Sequence, residues 1–273
     1  MKYSVLMSVY KNDNPDYLKS ALNSIYEEQT KKPDEIVIVF DGPVPETLLS
    51  VLHEFRKDKE EVVKFFPQET NRGLGAALKI GSEHCSGDYI FRMDSDDISA
   101  PDRFEVQAKY VEEHPEIDVL GTNILEFNES IDEKDLKQRK CCANHDGIVK
   151  MSKKRNPMNH VSVCIKKSAL EKAGGYQPLL YAEDYYLWLR MINAGCLFAN
   201  IDQGLVFVRV GNGFNSRRSR KELITSWKSL QNYMLDKGTI TKREARRNMF
   251  YINVFVRTPC WIKKILYSKF LRK

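Results

Sequence analysis

The stretch "GDYIFRMDSDDISAPDRFE" (87–105) runs from an apolar segment straight into a cluster of carboxylates. Tyr89 to Met93 has the length and side chains of a buried strand, and Asp94, Asp96 and Asp97 follow it at once. A helix is expected next, with Ser99 as a cap-like residue, Pro101 early, Phe104, Ala108 and Val111 on one face, and a stop at Pro115. Like charges this close push one another's pKa up unless a counter-charge relieves them. A divalent cation does so, and hard carboxylate oxygens suit Mg²⁺ or Mn²⁺. Mg²⁺ commonly takes one or two protein carboxylates and fills its shell with substrate phosphate oxygens, so a diphosphate ligand is implied with the metal. The competing reading makes the acids caps of the following helix, where negative charge is favoured; one of the three fits that role.

Upstream, the same strand-then-helix pattern repeats. "YSVLMSVY" (3–10), "EIVIVF" (35–40) and "VVKFF" (62–66) are apolar runs of strand length. Between them, Leu18, Leu22, Ile25 and Tyr26, and then Leu48, Leu49, Leu52 and Phe55, recur at helical spacing; "GLGAALKIGSEHC" (73–85) is a third helix. Such alternation predicts an α/β fold whose sheet is mostly parallel, with helices on both faces. Ligands in these sheets bind beyond the carboxyl ends of the strands, which is where Asp41 and Asp94 fall. Downstream, "DVLGTNILEF" reads as a strand, residues 128–158 as a polar, loop-rich insertion, and "HVSVCI" (160–165) as the return of strand pattern. "YAEDYYLWLRMINAG" (181–195) reads as a helix with Tyr185, Leu189 and Ile192 on one stripe. "NRGLGAAL" is not a dinucleotide fingerprint, because Leu78 stands at the third glycine position and the segment follows the third strand, not the first. A P-loop is also missing.

The 273 residues can bury a full core, and the 42% hydrophobic content is globular in character. No apolar run approaches the roughly 18–20 residues that cross a bilayer, and the N-terminus reads as a first strand, not a cleaved leader. Six cysteines without CxxC spacing suggest reduced thiols in a cytosolic protein. Charge is unevenly spread: residues 1–216 hold 27 Lys and Arg against 34 Asp and Glu, whereas residues 217–273 hold 16 against 3. The basic end should meet an anionic surface. "RTPCWIKKILYSKFLRK" closes the chain with Trp261, Ile262, Ile265, Leu266, Tyr267, Phe270 and Leu271 on one broad face and lysines and arginines on the other. A basic amphipathic helix of this kind lies in the headgroup plane of an anionic membrane; the alternative is a terminal helix docked on the protein. Without a nucleic-acid-binding motif, nucleic acid is not the expected partner. "VRVGNGFNSRR" (208–218) joins two glycines to Arg217 and Arg218, which suits either a lid over a diphosphate or a solvated basic loop.

Taken together, "SVLMSVYKND", "IVFDG", "NRGLGAAL", "MDSDD" and "AEDYYLWLR", in this order, resemble an inverting glycosyltransferase of family 2 with a GT-A nucleotide-sugar-binding fold. The resemblance covers roughly residues 3–210, and the chain is expected to divide into a nucleotide-sugar-binding and catalytic domain, 1–210, and a basic lid and helical membrane-associating region, 211–273. It implies a UDP-sugar donor and a divalent cation, Mn²⁺ or Mg²⁺. Asp41 would bind the uridine base or ribose, and Asn71 and Arg72 would line the nucleotide pocket. Asp94 would contact the ribose or sugar side of the donor and, with Asp96, hold the metal between the phosphates; Asp97 is open to either role. The resemblance favours Asp184 as general base and Glu183 as an acceptor contact or pocket wall. His160 would lie near the donor phosphates or the acceptor, or be structural, and Trp188 would face the acceptor sugar or sit in the core.

The chemistry asks for these groups. An acceptor hydroxyl is a poor nucleophile, so a carboxylate takes its proton as it attacks the anomeric carbon opposite the leaving nucleoside diphosphate. Similar enzymes extend a sugar on undecaprenyl diphosphate in O-antigen or capsule assembly, commonly adding glucose or galactose to an N-acetylhexosamine. The expectation is therefore a metal-dependent, inverting hexosyltransferase, peripheral on the cytoplasmic face of the plasma membrane. Its rivals are a sugar nucleotidyltransferase, which would release pyrophosphate, and a non-catalytic glycan-binding protein. Neither rival needs the Glu183–Asp184 pair.

Overall fold

The computed structural model describes residues 1–132, 136–210 and 220–258. Its first half is β1 (Tyr3–Val9), α1 (Pro15–Ile25), β2 (Glu35–Phe40), α2 (Glu46–Arg56), β3 (Val63–Pro67), α3 (Leu74–His84) and β4 (Tyr89–Met93). These strands pair in parallel, as their apolar runs predict, and their order is β3-β2-β1-β4. The sheet continues through β5 (Ile98–Ser99), β6 (Val119–Phe127), β7 (Lys137–Arg139), β8 (Cys164–Lys166) and β9 (Phe198–Arg209). The full order is β3-β2-β1-β4-β8-β6-β9-β5, with β7 paired to β6. Because β8 is antiparallel to both β4 and β6, six of the nine strands described run one way and β5, β7 and β8 the other. The sheet is thus mostly parallel.

Strand periodicity divides the core. Val5, Met7 and Val9 point to α1, α2 and α4 (Arg103–Glu113), where Leu18, Leu22, Leu52 and Phe104 meet them. Leu6, Val37 and Val39 point the other way, toward Leu78 of α3 and Leu187 and Trp188 of α7 (Glu183–Asn193). The second face is completed by α5 (His145–Ser152) and α6 (Lys167–Lys172). α7 is apolar on two sides: Leu187, Trp188 and Met191 face the sheet, whereas Tyr185 and Leu189 face α8 (Arg220–Asp236) and α9 (Lys242–Arg257). Leu230, Met234, Ile240 and Ala245 complete that outer contact, so the C-terminal helical hairpin is seated on α7.

Several sequence expectations change. Ser99 does not cap α4: it pairs with Val206 of β9, and its buried hydroxyl accepts from Gln29 Nε2 at 3.3 Å. Asp102 stands at the helix start instead. The 128–158 insertion contains β7 and α5, and the 160–165 run splits into a 3₁₀ turn, His160–Ser162, followed by β8. α7 carries two apolar stripes, not the single one expected. The cysteines among the described residues are free. Arg217, Arg218 and the amphipathic segment 259–273 lie outside the described residues.

Candidate active site

Three neighbouring parallel strands, β2, β1 and β4, are each followed by an acid at the same edge of the sheet. Val9 of β1 is level with Phe40, and Met7 is level with Met93, so the chain segments leaving these strands emerge side by side. Asp41, after β2, is buried and accepts from the backbone N–H groups of Arg72 at 2.8 Å and Gly73 at 3.0 Å. Asn71 Nδ2 in turn donates to the Asp41 carbonyl at 3.1 Å. Gly42 makes this closure possible: its φ is +85°, and a Cβ there would stand 2.6 Å from the Asn71 nitrogen. Asp41 therefore folds the 71–73 loop onto the end of β2, leaving Asn71 and Arg72 exposed at the rim. A carboxylate has about four acceptor positions, so two amides leave it capacity for a ligand hydrogen bond.

On β4 the alternation puts Ile90, Arg92 and Asp94 on the face covered by α3 and α7. Arg92 is 1% exposed and forms an ion pair with Asp94 through Nη1 and Oδ1. Asp96 is exposed, whereas Asp97 is buried and accepts from the Arg209 N–H at 2.9 Å, which fastens the turn to the end of β9. Burial, with Asp94 and Asp96 beside it, holds the Asp97 carboxyl well above the usual carboxylate range. Sequence reasoning missed a fourth acid, Asp13, after β1. It accepts from the Ser95 hydroxyl at 2.8 Å and the Tyr10 N–H at 3.1 Å. Burial pushes Asp13 up to about 6 despite those hydrogen bonds, and Asp96 and Asp94 add to the rise.

This crowding fits a cation. Among the described residues, no three ligating side chains converge closely enough to hold an ion by themselves. The chain offers Asp94 and Asp96, so a hard cation here would need further oxygens from a ligand, a donor set suited to Mg²⁺ or Mn²⁺ with a diphosphate.

The second acidic group lies at the start of α7. A Cβ on Gly75 of α3 would be 3.0 Å from Glu183 Cβ and 3.2 Å from Pro178 Cα, so glycine lets the two helix starts meet. Asp184 accepts from Asn156 Nδ2 at 2.5 Å and from the Tyr185 N–H at 2.6 Å. Between the two groups lie Arg92 and Tyr176: burial raises the Tyr176 hydroxyl, Arg92 opposes the rise, and Asp184 and Glu183 add to it. Tyr176 Oη and His160 Nε2 are 3.0 Å apart. Burial and Arg92 push His160 well below its ordinary value, which keeps the ring neutral. His160 also meets Trp188 edge-on at 5.8 Å between ring centroids.

Of the two placements open for Trp188, the structure has the core one: it is 0% exposed and packs against Phe198. Asp13 was legible only by extending to β1 the strand-end rule applied to β2 and β4. Asn156 gave no sequence signal, because its partner is 28 positions away.

Comparison with known proteins agrees with this architecture. The family described as Glycosyl transferase family 2 matches residues 4–172. The amylovoran biosynthesis glycosyltransferase AmsE of Erwinia amylovora is 37% identical over 270 residues, covering 98% of both chains. A UDP-Gal:alpha-D-GlcNAc-diphosphoundecaprenol beta-1,3-galactosyltransferase of Escherichia coli is 34% identical over 100% of this chain and 97% of its own. Residues 1–349 of S. aureus TarS, solved in complex with UDP-GlcNAc, superpose with a TM-score of 0.70 at 18% identity, covering 98% of this chain and 75% of that one. This chain spans 46% of the longer TarS chain. With a family match over most of the catalytic body and relatives aligned nearly end to end, the chain belongs to glycosyltransferase family 2.

Proposed function

We propose that this chain transfers a hexose, glucose or galactose, from a UDP-sugar to an N-acetylhexosamine on undecaprenyl diphosphate, with inversion, during O-antigen or capsular polysaccharide assembly. The observation that carries this reading is the pairing of two acidic groups on one face of the sheet, the cation-seeking turn at 94–97 and the helix start at 183–184. The activity of the E. coli relative, a UDP-Gal:alpha-D-GlcNAc-diphosphoundecaprenol beta-1,3-galactosyltransferase, supports the donor and the lipid-linked acceptor.

Asp41 shapes the nucleoside end and, with Asn71 and Arg72, binds it. Asp94 and Asp96 hold Mn²⁺ or Mg²⁺, which when bound neutralises charge on the leaving diphosphate. Arg92 holds Asp94 in place from below, through the ion pair. Asp184 takes the acceptor hydroxyl's proton; Asn156 Nδ2 and the Tyr185 N–H each donate to one of its oxygens and hold the carboxylate in place. Glu183 contacts the acceptor or forms its wall. Arg217 and Arg218 close over the diphosphate, and His160 remains a neutral support. The enzyme works at the cytoplasmic face of the membrane, where residues 259–273 attach it to anionic lipid.

A panel of UDP-sugars offered with a diphospholipid-linked N-acetylhexosamine and Mn²⁺ tests the proposal. UDP release and a new glycosidic linkage of inverted configuration are expected with UDP-glucose or UDP-galactose. Pyrophosphate release would make the protein a nucleotidyltransferase, and glycan binding without turnover would make it a binding protein.

A further inference from the structure

α9 has an inner and an outer face of opposite character. Inside, Ala245, Asn248, Ile252 and Val256 are buried. Asn248 Nδ2 donates to the Lys153 carbonyl at 2.8 Å and to Gln231 Oε1 at 3.0 Å, which anchors the helix to the body. Outside, the exposed residues Arg243, Arg246, Arg247, Phe250, Tyr251, Val254 and Arg257 share one stripe, linked by three- and four-residue spacings. Phe250 is 65% exposed, Tyr251 62% and Val254 50%, while the core side chains are near zero. The only acid in α9, Glu244, is occupied by its own helix start, where it accepts from the Thr241 N–H at 2.8 Å.

We propose that this outer stripe of α9 is a contact surface for an anionic lipid bilayer. Two aromatic rings and a valine suit the boundary between headgroups and acyl chains, and arginines at both ends suit the phosphates there. Charge complementarity favours lipid over a second copy of the chain, because a twofold contact would set these arginines against their own counterparts. The surface is distinct from residues 259–273 and deepens the membrane part of the reading above without depending on sugar chemistry. Its position also has a consequence. α9 and α8 rest on Tyr185 and Leu189 of the helix that carries Asp184, and Asn248 holds the segment leading to Asn156. A bilayer under α9 is therefore in fixed register with the proposed base.

Flotation of the full-length protein with phosphatidylglycerol/phosphatidylethanolamine vesicles, against phosphatidylcholine vesicles, tests this. The wild type should float with the anionic vesicles. Phe250→Ser/Tyr251→Ser and, separately, Arg243→Ser/Arg246→Ser/Arg247→Ser should each lower partitioning about tenfold or more with an unchanged Tm. Unchanged flotation of both variants overturns the proposal. If sedimentation shows instead that the aromatic variant breaks a wild-type dimer while flotation persists, the stripe is a self-association surface. A fall in Tm with persisting flotation would make it a packing surface for residues 259–273, and would equally refute the lipid contact.

Discussion

At the turn after β4, Asp94, Asp96 and Asp97 crowd together with Asp13, and burial raises Asp97 and Asp13 above ordinary carboxylates. At the start of α7, Glu183 and Asp184 stand where a helix N-terminus favours negative charge, and Asp184 accepts two hydrogen bonds. In the first cluster Arg92 pairs with Asp94 and Arg209 Nε donates to the Asp96 carbonyl, yet burial and the neighbouring acids still hold Asp97 and Asp13 up. In the second, Asp184 accepts from the Asn156 side-chain amide and the Tyr185 N–H. The two acidic groups thus sit in different electrostatic surroundings, a difference that the proposed division between metal–diphosphate holder and proton acceptor would use.

The comparison breaks first at Asp96. Asp96→Ala should abolish turnover supported by divalent cations while the far-ultraviolet spectrum stays native; full activity of the wild type in excess chelator would remove the distinction between the two clusters. Asp184→Asn should lower the transfer rate by about 10²–10⁴ and leave UDP affinity nearly unchanged, measured by single-turnover kinetics and calorimetry. Trp188→Ala tests the core packed against α7: loss of a fully buried indole should cost about 3–5 kcal/mol of stability in denaturant titration. A Trp188→Ala protein as stable as the wild type would return that residue to the acceptor side.

The smallest effect concerns pH. A carboxyl raised from 3.8 to about 6 destabilises the folded, metal-free protein once it ionises. The penalty is absent below the unfolded value, grows as pH rises toward about 6, and is complete above it. Asp97 acts in the same direction. Asp13→Asn should therefore flatten part of the fall in Tm over that range in chelator, and a slope identical to the wild type would show that Asp13 does not belong to the crowded cluster.

Much of this was readable from local pattern. Apolar runs such as Glu35–Phe40 located the parallel strands, and the strand-end rule located Asp41 and Asp94. What escaped depended on partners far along the chain. Ser99 has the side chain of a helix cap, yet Val206 claims its backbone for a strand. Trp188 belongs to a helix squeezed between the sheet and the C-terminal hairpin, and a single-stripe reading of Tyr185 and Leu189 hides the other buried side. Asp13 carries no signal in its own neighbourhood, because its partner Ser95 is 82 positions away.

Calorimetric titration of UDP into the protein, with Mn²⁺ and then with chelator, tests the metal–diphosphate claim most directly. The account predicts binding at least about tenfold tighter with Mn²⁺, as expected when a cation relieves like-charge repulsion, and loss of that difference in Asp94→Ala/Asp96→Ala. Equal affinity in chelator, or an intact manganese effect in the double variant, would contradict it.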